Sequence, residues 1–120
     1  MKLKRTIILT IYHNPRCRKS RAGLQYLQDK GLEVKIVNYI RNPVSEAELT
    51  DILIKMNKKP KDIIRTQEAI YKSNFKGKNF TDYEWIKILI ENPKLIQRPI
   101  VVKGYKAILA QPPEEVDKLI

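Results

Sequence analysis

The sequence contains a single cysteine, Cys17, together with one histidine and two methionines in 120 residues. One thiol excludes an intramolecular disulfide, and so few ligands exclude a structural zinc site built on cysteine, so we expect no bound metal. Apolar runs are also short, since none reaches the ~18 residues of a membrane span. A free thiol fits a reducing compartment. We therefore expect a cytoplasmic protein that does not associate with a membrane.

The amino-terminal residues imitate a secretory signal, because the basic segment 1–5 precedes the apolar residues 6–11. The apolar part is too short for a signal, however, and it runs into Tyr12-His13-Asn14-Pro15 without a small-residue cleavage site. We expect a buried β-strand over 7–12 instead.

Acidic residues are scarce, with 13 Asp and Glu against 24 Lys and Arg, which gives a net charge of +11. Such an excess points to an anionic partner, whether a nucleic acid, a membrane surface, an acidic protein or a small oxyanion. No helix-turn-helix, zinc finger or aromatic RNA-binding strand motif is present, so a nucleic acid is not expected.

The length and the 42% hydrophobic content predict one domain over residues 1–120. Strand-like residues over 7–12 and 34–39 flank an amphipathic segment over 18–30, which predicts a parallel β-α-β unit. Gly31 stands where a helix commonly ends.

A helical insertion is predicted over about 45–92. Ser45 with Glu48, and Thr81 with Glu84, have the spacing of capping boxes, and apolar stripes follow each pair. A short helix is expected over 61–66, and the basic, polar segment 72–79 is expected to form a loop.

Two strands are predicted near the carboxyl end, over 99–102 and 107–110, with a hairpin turn at 103–106. Pro112-Pro113 would open a last helix. The predicted order is β-α-β, a helical insertion, then β-β-α, which is an α/β fold with helices covering a mixed sheet.

Cys17 lies between the first strand and the first helix, where a helix amino terminus favours a thiolate. We expect Cys17 to be a nucleophile and Arg16, Ser20 and His13 to activate its thiol, through charge, through a hydroxyl or backbone N–H, and through proximity. The alternative is that Cys17 is a small buried hydrophobe.

Two known cysteine chemistries fail the spacing test. A phosphatase-type loop needs an arginine six places after the cysteine, where Gly23 stands, and a dithiol oxidoreductase needs a cysteine where Ser20 stands. Any redox cycle must therefore use an external thiol.

Two further arginines are candidates for binding an oxyanion, because a planar guanidinium suits this geometry. Arg98 precedes Pro99, which would be the cis-proline that faces the helix-one cysteine in thioredoxin-like folds. Arg65 is a basic residue in an apolar segment. The alternative is that both arginines are ordinary surface residues.

Three motifs together resemble the glutaredoxin-dependent arsenate reductases of the ArsC type. They are Tyr12-His13-Asn14-Pro15-Arg16-Cys17-x-x-Ser20, Leu95-Ile96-Gln97-Arg98-Pro99-Ile100-Val101-Val102 and Pro112-Pro113-Glu114-Glu115-Val116. The resemblance covers residues 7–119 and implies a thioredoxin-like fold with a helical insertion.

The resemblance also implies a chemistry. Cys17 would attack the arsenic of arsenate, Arg65 and Arg98 would bind the oxyanion, glutathione would be the co-substrate and glutaredoxin the reductant, without a bound cofactor. Gln111 stands where the family has a third arginine, and it is a candidate third contact that can donate a hydrogen bond but carries no charge. Losing a charged contact would weaken binding by ~1.5–3 kcal/mol.

Two other functions stay open. Spx-type transcription regulators, which bind RNA polymerase, share the fold and the Arg-Pro-Ile block, although they often carry a second cysteine where Ser20 stands. A thiol-redox protein acting on glutathionylated substrates would use the same cysteine.

Overall fold

The computed structural model describes residues 8–120 as a mixed sheet with helices between and after its strands. The strands are β1 (Leu9–His13), β2 (Val34–Asn38), β3 (Ile100–Lys103) and β4 (Lys106–Leu109). The α-helices are α1 (Arg18–Asp29), α2 (Glu46–Met56), α3 (Ala69–Asn74) and α4 (Asp82–Glu91), and short 3-10 helices span Pro60–Ile63, Pro93–Leu95 and Pro113–Lys118.

The sheet has the strand order β2-β1-β3-β4. β1 and β2 are parallel, with Leu9 opposite Val34, and α1 connects them as the crossover helix. β3 is antiparallel to both β1 and β4. The β3–β4 turn contains Gly104 at φ 57°, a conformation that glycine adopts without strain. The predicted β-α-β unit and hairpin are confirmed, although Ile7 of the first predicted strand lies outside the described residues.

Apolar side chains cover both faces of the sheet. The neighbours Ile100 and Val101 belong to two different core clusters, because successive strand residues point to opposite faces. The first cluster joins Ile100 to α2 and α4 through Leu49 and Trp85. The second joins Val101 to α1 through Leu27 and also includes Val116 of the last helix. The predicted α/β sheet covered by helices is therefore confirmed.

The helices between β2 and β3 begin where the capping signals predict. The Ser45 hydroxyl accepts a hydrogen bond from the Glu48 N–H at 3.1 Å. Thr81 and Glu84 form a reciprocal box, in which each side chain accepts a hydrogen bond from the backbone of the other. These helices fill the part of the chain assigned to the insertion.

Three local predictions need correction. The segment 72–79 is not entirely a loop, because α3 extends through Asn74; Ile70 and Tyr71 pack on the core and stabilise this short helix despite its polar end. The helix expected over 61–66 is a 3-10 turn ending at Ile63. The last helix is also 3-10, because its N–H groups bond three residues back, as Glu115 does to Pro112 and Leu119 does to Val116.

None of the helices within residues 8–120 combines the length and apolar character needed to cross a bilayer.

Candidate active site

Cys17 occupies the amino-terminal cap of α1, one short loop after β1 ends. Cys17 is 8% exposed, so its sulfur is near the surface but largely shielded from water. The Asn14 side chain accepts a hydrogen bond from the Arg16 N–H at 3.0 Å, and the Asn14 carbonyl accepts one from the Cys17 N–H, also at 3.0 Å. This turn fixes the position of the thiol relative to the helix.

Arg98 contacts the thiol from the neighbouring strand, since it lies just before β3 and Cys17 lies just after β1. Its Nε donates a hydrogen bond to Cys17 Sγ at 2.9 Å. β3 runs antiparallel to β1 with Ile100 opposite Tyr12, so the residues just before β3 lie beside the end of β1. The Arg98–Pro99 peptide bond is cis. Strand pairing therefore brings together two residues that are far apart in sequence.

The surroundings of Cys17 favour the thiolate. Burial raises the pKa of the thiol, but it is outweighed by the backbone N–H of Ser20, the charge of Arg98, the backbone N–H of Lys19 and the hydrogen bond from Arg98. The net result is a pKa below the ordinary value. The Cys17 side chain makes no capping hydrogen bond within the described residues. The N–H groups of Lys19 and Ser20 therefore act on the thiol as dipoles at the start of α1.

His13 acts on the site indirectly, through Ser20. His13 Nδ1 lies 2.7 Å from the Ser20 hydroxyl, which also accepts a hydrogen bond from the Asn14 N–H at 2.9 Å. Burial lowers the pKa of His13, and so does the charge of Arg21. A hydrogen bond with Ser20 raises the pKa but does not outweigh them. A neutral imidazole supplies no positive charge to the thiolate. The Ser20 hydroxyl therefore holds the loop, while its backbone N–H faces Cys17.

Arg16 and Arg21 are close to Cys17 in sequence, but neither is among the groups that lower the pKa of its thiol. Arg21 Nη1 donates to the Pro15 carbonyl at 3.0 Å and so braces the loop. Arg16 lines the adjoining cleft. Of the charged side chains between residues 8 and 120, Arg98 is the one whose charge lowers the pKa of Cys17.

An open cleft of about 380 Å³ lies next to Arg98, the arginine that contacts the thiol, and its size is typical of small-molecule sites. Its lining is rich in basic and hydrogen-bonding groups and comprises Asn14, Arg16, Tyr39, Ile40, Arg65, Glu68, Lys94 and Arg98. The structure thus brings Arg65 and Arg98 to one cleft, together with Arg16. This arrangement can attract and orient a small anion next to a thiolate.

Arg65 is fixed by the segment that precedes β3. Its backbone N–H donates to the Leu95 carbonyl at 2.7 Å, and Ile64 pairs with Ile96 in an isolated antiparallel bridge. Its guanidinium Nη1 donates to the Glu68 carboxylate in an ion pair. The buried Nε of Arg65 has no hydrogen-bond partner within the described chain.

Gln111 contacts the backbone of Arg98. Its side-chain amide donates a hydrogen bond to the Arg98 carbonyl. It lines a different cleft, together with Lys19, Ala22 and the two prolines that follow. Gln111 therefore supports the backbone of Arg98. Its side chain does not line the Arg65–Arg98 cleft, where a third contact to an anion was expected.

Tyr39 and Glu68 are among the cleft residues that were not predicted from the sequence. Tyr39 follows β2, and its only sequence signal was its place at the end of a strand parallel to β1, beside the site. Glu68 gave no signal, because a single carboxylate in a polar turn is typical of a solvated surface. Within residues 8–120, no group of three or more His, Cys, Asp or Glu side chains is arranged to hold a metal ion.

A cysteine that caps the first helix and contacts the residue before a cis-proline, next to a β2-β1-β3-β4 sheet, defines a thioredoxin-like protein with inserted helices. A family model described as "ArsC family" matches residues 12–119. The chain belongs to the ArsC family.

Named relatives support this assignment. An arsenate reductase of Haemophilus influenzae is 38% identical over 112 residues, covering 92% of this chain and 97% of that protein. A protein of Escherichia coli K12 with the name "Uncharacterized protein YfgD" is 39% identical over 113 residues, covering 92% and 94%. The solved structure of an arsenate reductase from Vibrio cholerae matches with a TM-score of 0.91 and 31% identity, covering 97% of this chain and 100% of that one.

Proposed function

We propose that this protein is an arsenate reductase that forms a bond between Cys17 and arsenic and uses glutathione and glutaredoxin as its source of electrons. The observation that carries the proposal is the 2.9 Å hydrogen bond from Arg98 Nε to Cys17 Sγ. An arginine in that position stabilises a thiolate and presents its remaining N–H groups at the edge of the basic cleft. The arsenate reductases among its relatives supply the identity of the anion.

In the first step, the Cys17 thiolate attacks the arsenic atom. A sulfur–arsenic bond forms, an arsenic–oxygen bond breaks, and that oxygen leaves as water after it has gained protons from the solvent. Negative charge on the remaining oxygens is stabilised by Arg65 and Arg98, whose positions are set before the reaction. Arsenic stays in the pentavalent state during this step.

Reduction needs two electrons, and one cysteine cannot supply them by forming an internal disulfide. The glutathione thiol replaces a second oxygen on arsenic, which also leaves as water. A glutaredoxin thiolate then attacks the glutathione sulfur and forms a mixed disulfide, and the electron pair of that sulfur–arsenic bond stays on arsenic. Hydrolysis of the Cys17–arsenic bond releases arsenite and restores the thiolate.

The cleft has room for both reactants. Its volume of about 380 Å³ is within the range of sites that hold small organic ligands, whereas an oxyanion of five heavy atoms fills only a small part of it. A glutathione carboxylate can pair with the cleft's basic groups, such as Lys94 and Arg16, while its thiol approaches arsenic. The need for glutathione also suits the reducing cytosol, in which we propose that the protein works.

A coupled assay tests this function. Purified protein is supplied with arsenate, glutathione, glutaredoxin, glutathione reductase and NADPH, and NADPH oxidation is followed. We expect arsenate-dependent oxidation that disappears when Cys17 is replaced by serine or when glutaredoxin is left out. No arsenate-dependent rate with wild-type protein would refute the proposal. Deglutathionylation of a mixed-disulfide substrate under the same conditions would then favour the general thiol-redox function, and capture of RNA polymerase subunits would favour a regulator.

A further inference from the structure

The Tyr39 hydroxyl is a buried polar group without a hydrogen-bond partner among the residues that the structure describes. The residue is 3% exposed, so water does not reach most of it. Leaving a buried hydroxyl unsatisfied costs about 1–3 kcal/mol, and native proteins rarely tolerate this without a reason. Phenylalanine would fill the same space without that cost.

The position of Tyr39 supplies a reason. It lines the same cleft as Arg65 and Arg98, and the charges that act on its hydroxyl are those of Arg98, Cys17 and Arg65. The buried Nε of Arg65, in the same cleft, also has no partner in residues 8–120. Tyr39 and Arg65 therefore line one cleft, and each holds a buried donor without a partner in residues 8–120. A tetrahedral oxyanion has enough acceptor oxygens to satisfy both donors.

We propose that Tyr39 is an oxyanion-binding residue whose hydroxyl donates a hydrogen bond to one oxygen of the bound anion while Arg65 Nε–H donates to another. The proposal rests on the function proposed above, since it assigns a further donor to the same site. It also explains how the site gains a third donor although Gln111 lines a different cleft.

The protonation state of Tyr39 suits this role. Burial raises the pKa of its hydroxyl to about 12, with the charge of Cys17 acting in the same direction and those of Arg98 and Arg65 against it. The phenol therefore keeps its proton at any physiological pH. A third positive charge would lower the basicity of the neighbouring thiolate. A neutral donor binds the anion without this effect.

The test compares Tyr39→Phe with Tyr12→Phe. Both tyrosines line one small apolar pocket, but the Tyr12 hydroxyl interacts with Glu48 of α2. Binding of sodium arsenate is measured by calorimetry on Cys17→Ser protein, which blocks the covalent step, with and without each tyrosine substitution. The KM for arsenate and the thermal midpoint are measured for the same substitutions with Cys17 present.

For Tyr39→Phe we expect the dissociation constant and the KM for arsenate to rise roughly tenfold or more, as for a lost hydrogen bond to a charged group. The thermal midpoint should stay level or rise, because no protein partner is lost. Tyr12→Phe should leave arsenate binding unchanged. A merely structural role would lower the midpoint and leave binding unchanged.

The two proposals fail in different ways. If the wild-type protein reduces arsenate but Tyr39→Phe binds it as tightly as its parent, the assignment of Tyr39 is overturned and the proposed function stands. If the wild-type protein neither reduces nor binds arsenate, the proposed function is overturned, and the assignment of Tyr39 with it.

Discussion

Arg98 and Cys17 are 81 positions apart in sequence, yet the Arg98 Nε lies 2.9 Å from the Cys17 sulfur. The pairing of β3 with β1 creates this contact, and the start of α1 adds its backbone dipoles. The lowered pKa of the Cys17 thiol thus depends on the pairing of β3 with β1 and on the start of α1, rather than on the charges of the basic residues next to Cys17 in sequence.

Replacing Arg98 by glutamine should raise the pKa of the Cys17 thiol, because a positive charge in contact with the thiolate is lost. The pKa is measured from the pH dependence of iodoacetamide alkylation. Arg18→Gln is the matched control, since Arg18 adjoins Cys17 in sequence and is exposed. A larger shift from Arg18 than from Arg98 would contradict the structural assignment.

Below about pH 6.5 the wild-type protein should lose stability, and His13 is the cause. Burial lowers the pKa of folded His13 from its ordinary 6.5, so the unfolded chain binds a proton more readily as the pH falls. The associated loss begins near pH 6.5 and levels off below the lowered pKa. Since the chain has one histidine, a His13→Gln variant should show a flatter profile in urea unfolding over this window. Parallel profiles for the two proteins would show that His13 is not the group responsible.

Glu68 pairs with Arg65 and must share that arginine with any anion that enters the cleft. Glu68→Gln should lower the KM for arsenate severalfold, because a repelling carboxylate is removed from the binding site. Glu114→Gln removes a charge from an exposed position and is the control. A higher KM for Glu68→Gln would mean that the carboxylate's orienting effect on Arg65 outweighs its repulsion of the anion.

Gly23 of α1 packs directly against Pro99. A Cβ at this position would come 2.6 Å from the Pro99 Cγ, which neither the helix nor the proline ring can relieve without shifting. Gly23→Ala should therefore destabilise the protein by about 1–3 kcal/mol in urea unfolding, although alanine is the better helix former. Gln25→Ala, at an exposed position of the same helix, should be close to neutral. A stabilised Gly23→Ala protein would be incompatible with the close packing of α1 on Pro99.

The sequence was sufficient to predict much of the fold, because its strands, capping boxes and Gly31 depend on local patterns. Gly31 has a φ of 70°, as a helix-ending glycine does. The α3 helix was missed because packing of Ile70 and Tyr71 decides it, and packing is not visible in a polar segment.

The site was only partly predictable for the same reason. Cys17 is marked by its motif, and Arg98 by the proline that follows. The effect of Arg16 on the thiol was overestimated, because closeness in sequence does not show that its side chain lines the cleft. Tyr39 and Glu68 reach the cleft through tertiary structure alone.

The most direct test of the central claim is the intact mass of the protein after incubation with arsenate and glutathione, with glutaredoxin omitted so that the intermediate accumulates. We expect a covalent adduct that contains arsenic and one glutathione, located at Cys17 and absent from Cys17→Ser. Glutaredoxin should then release arsenite in an amount equal to the adduct. Arsenite production at the wild-type rate by Cys17→Ser, or no arsenic on Cys17 while arsenite is being formed, would contradict the account.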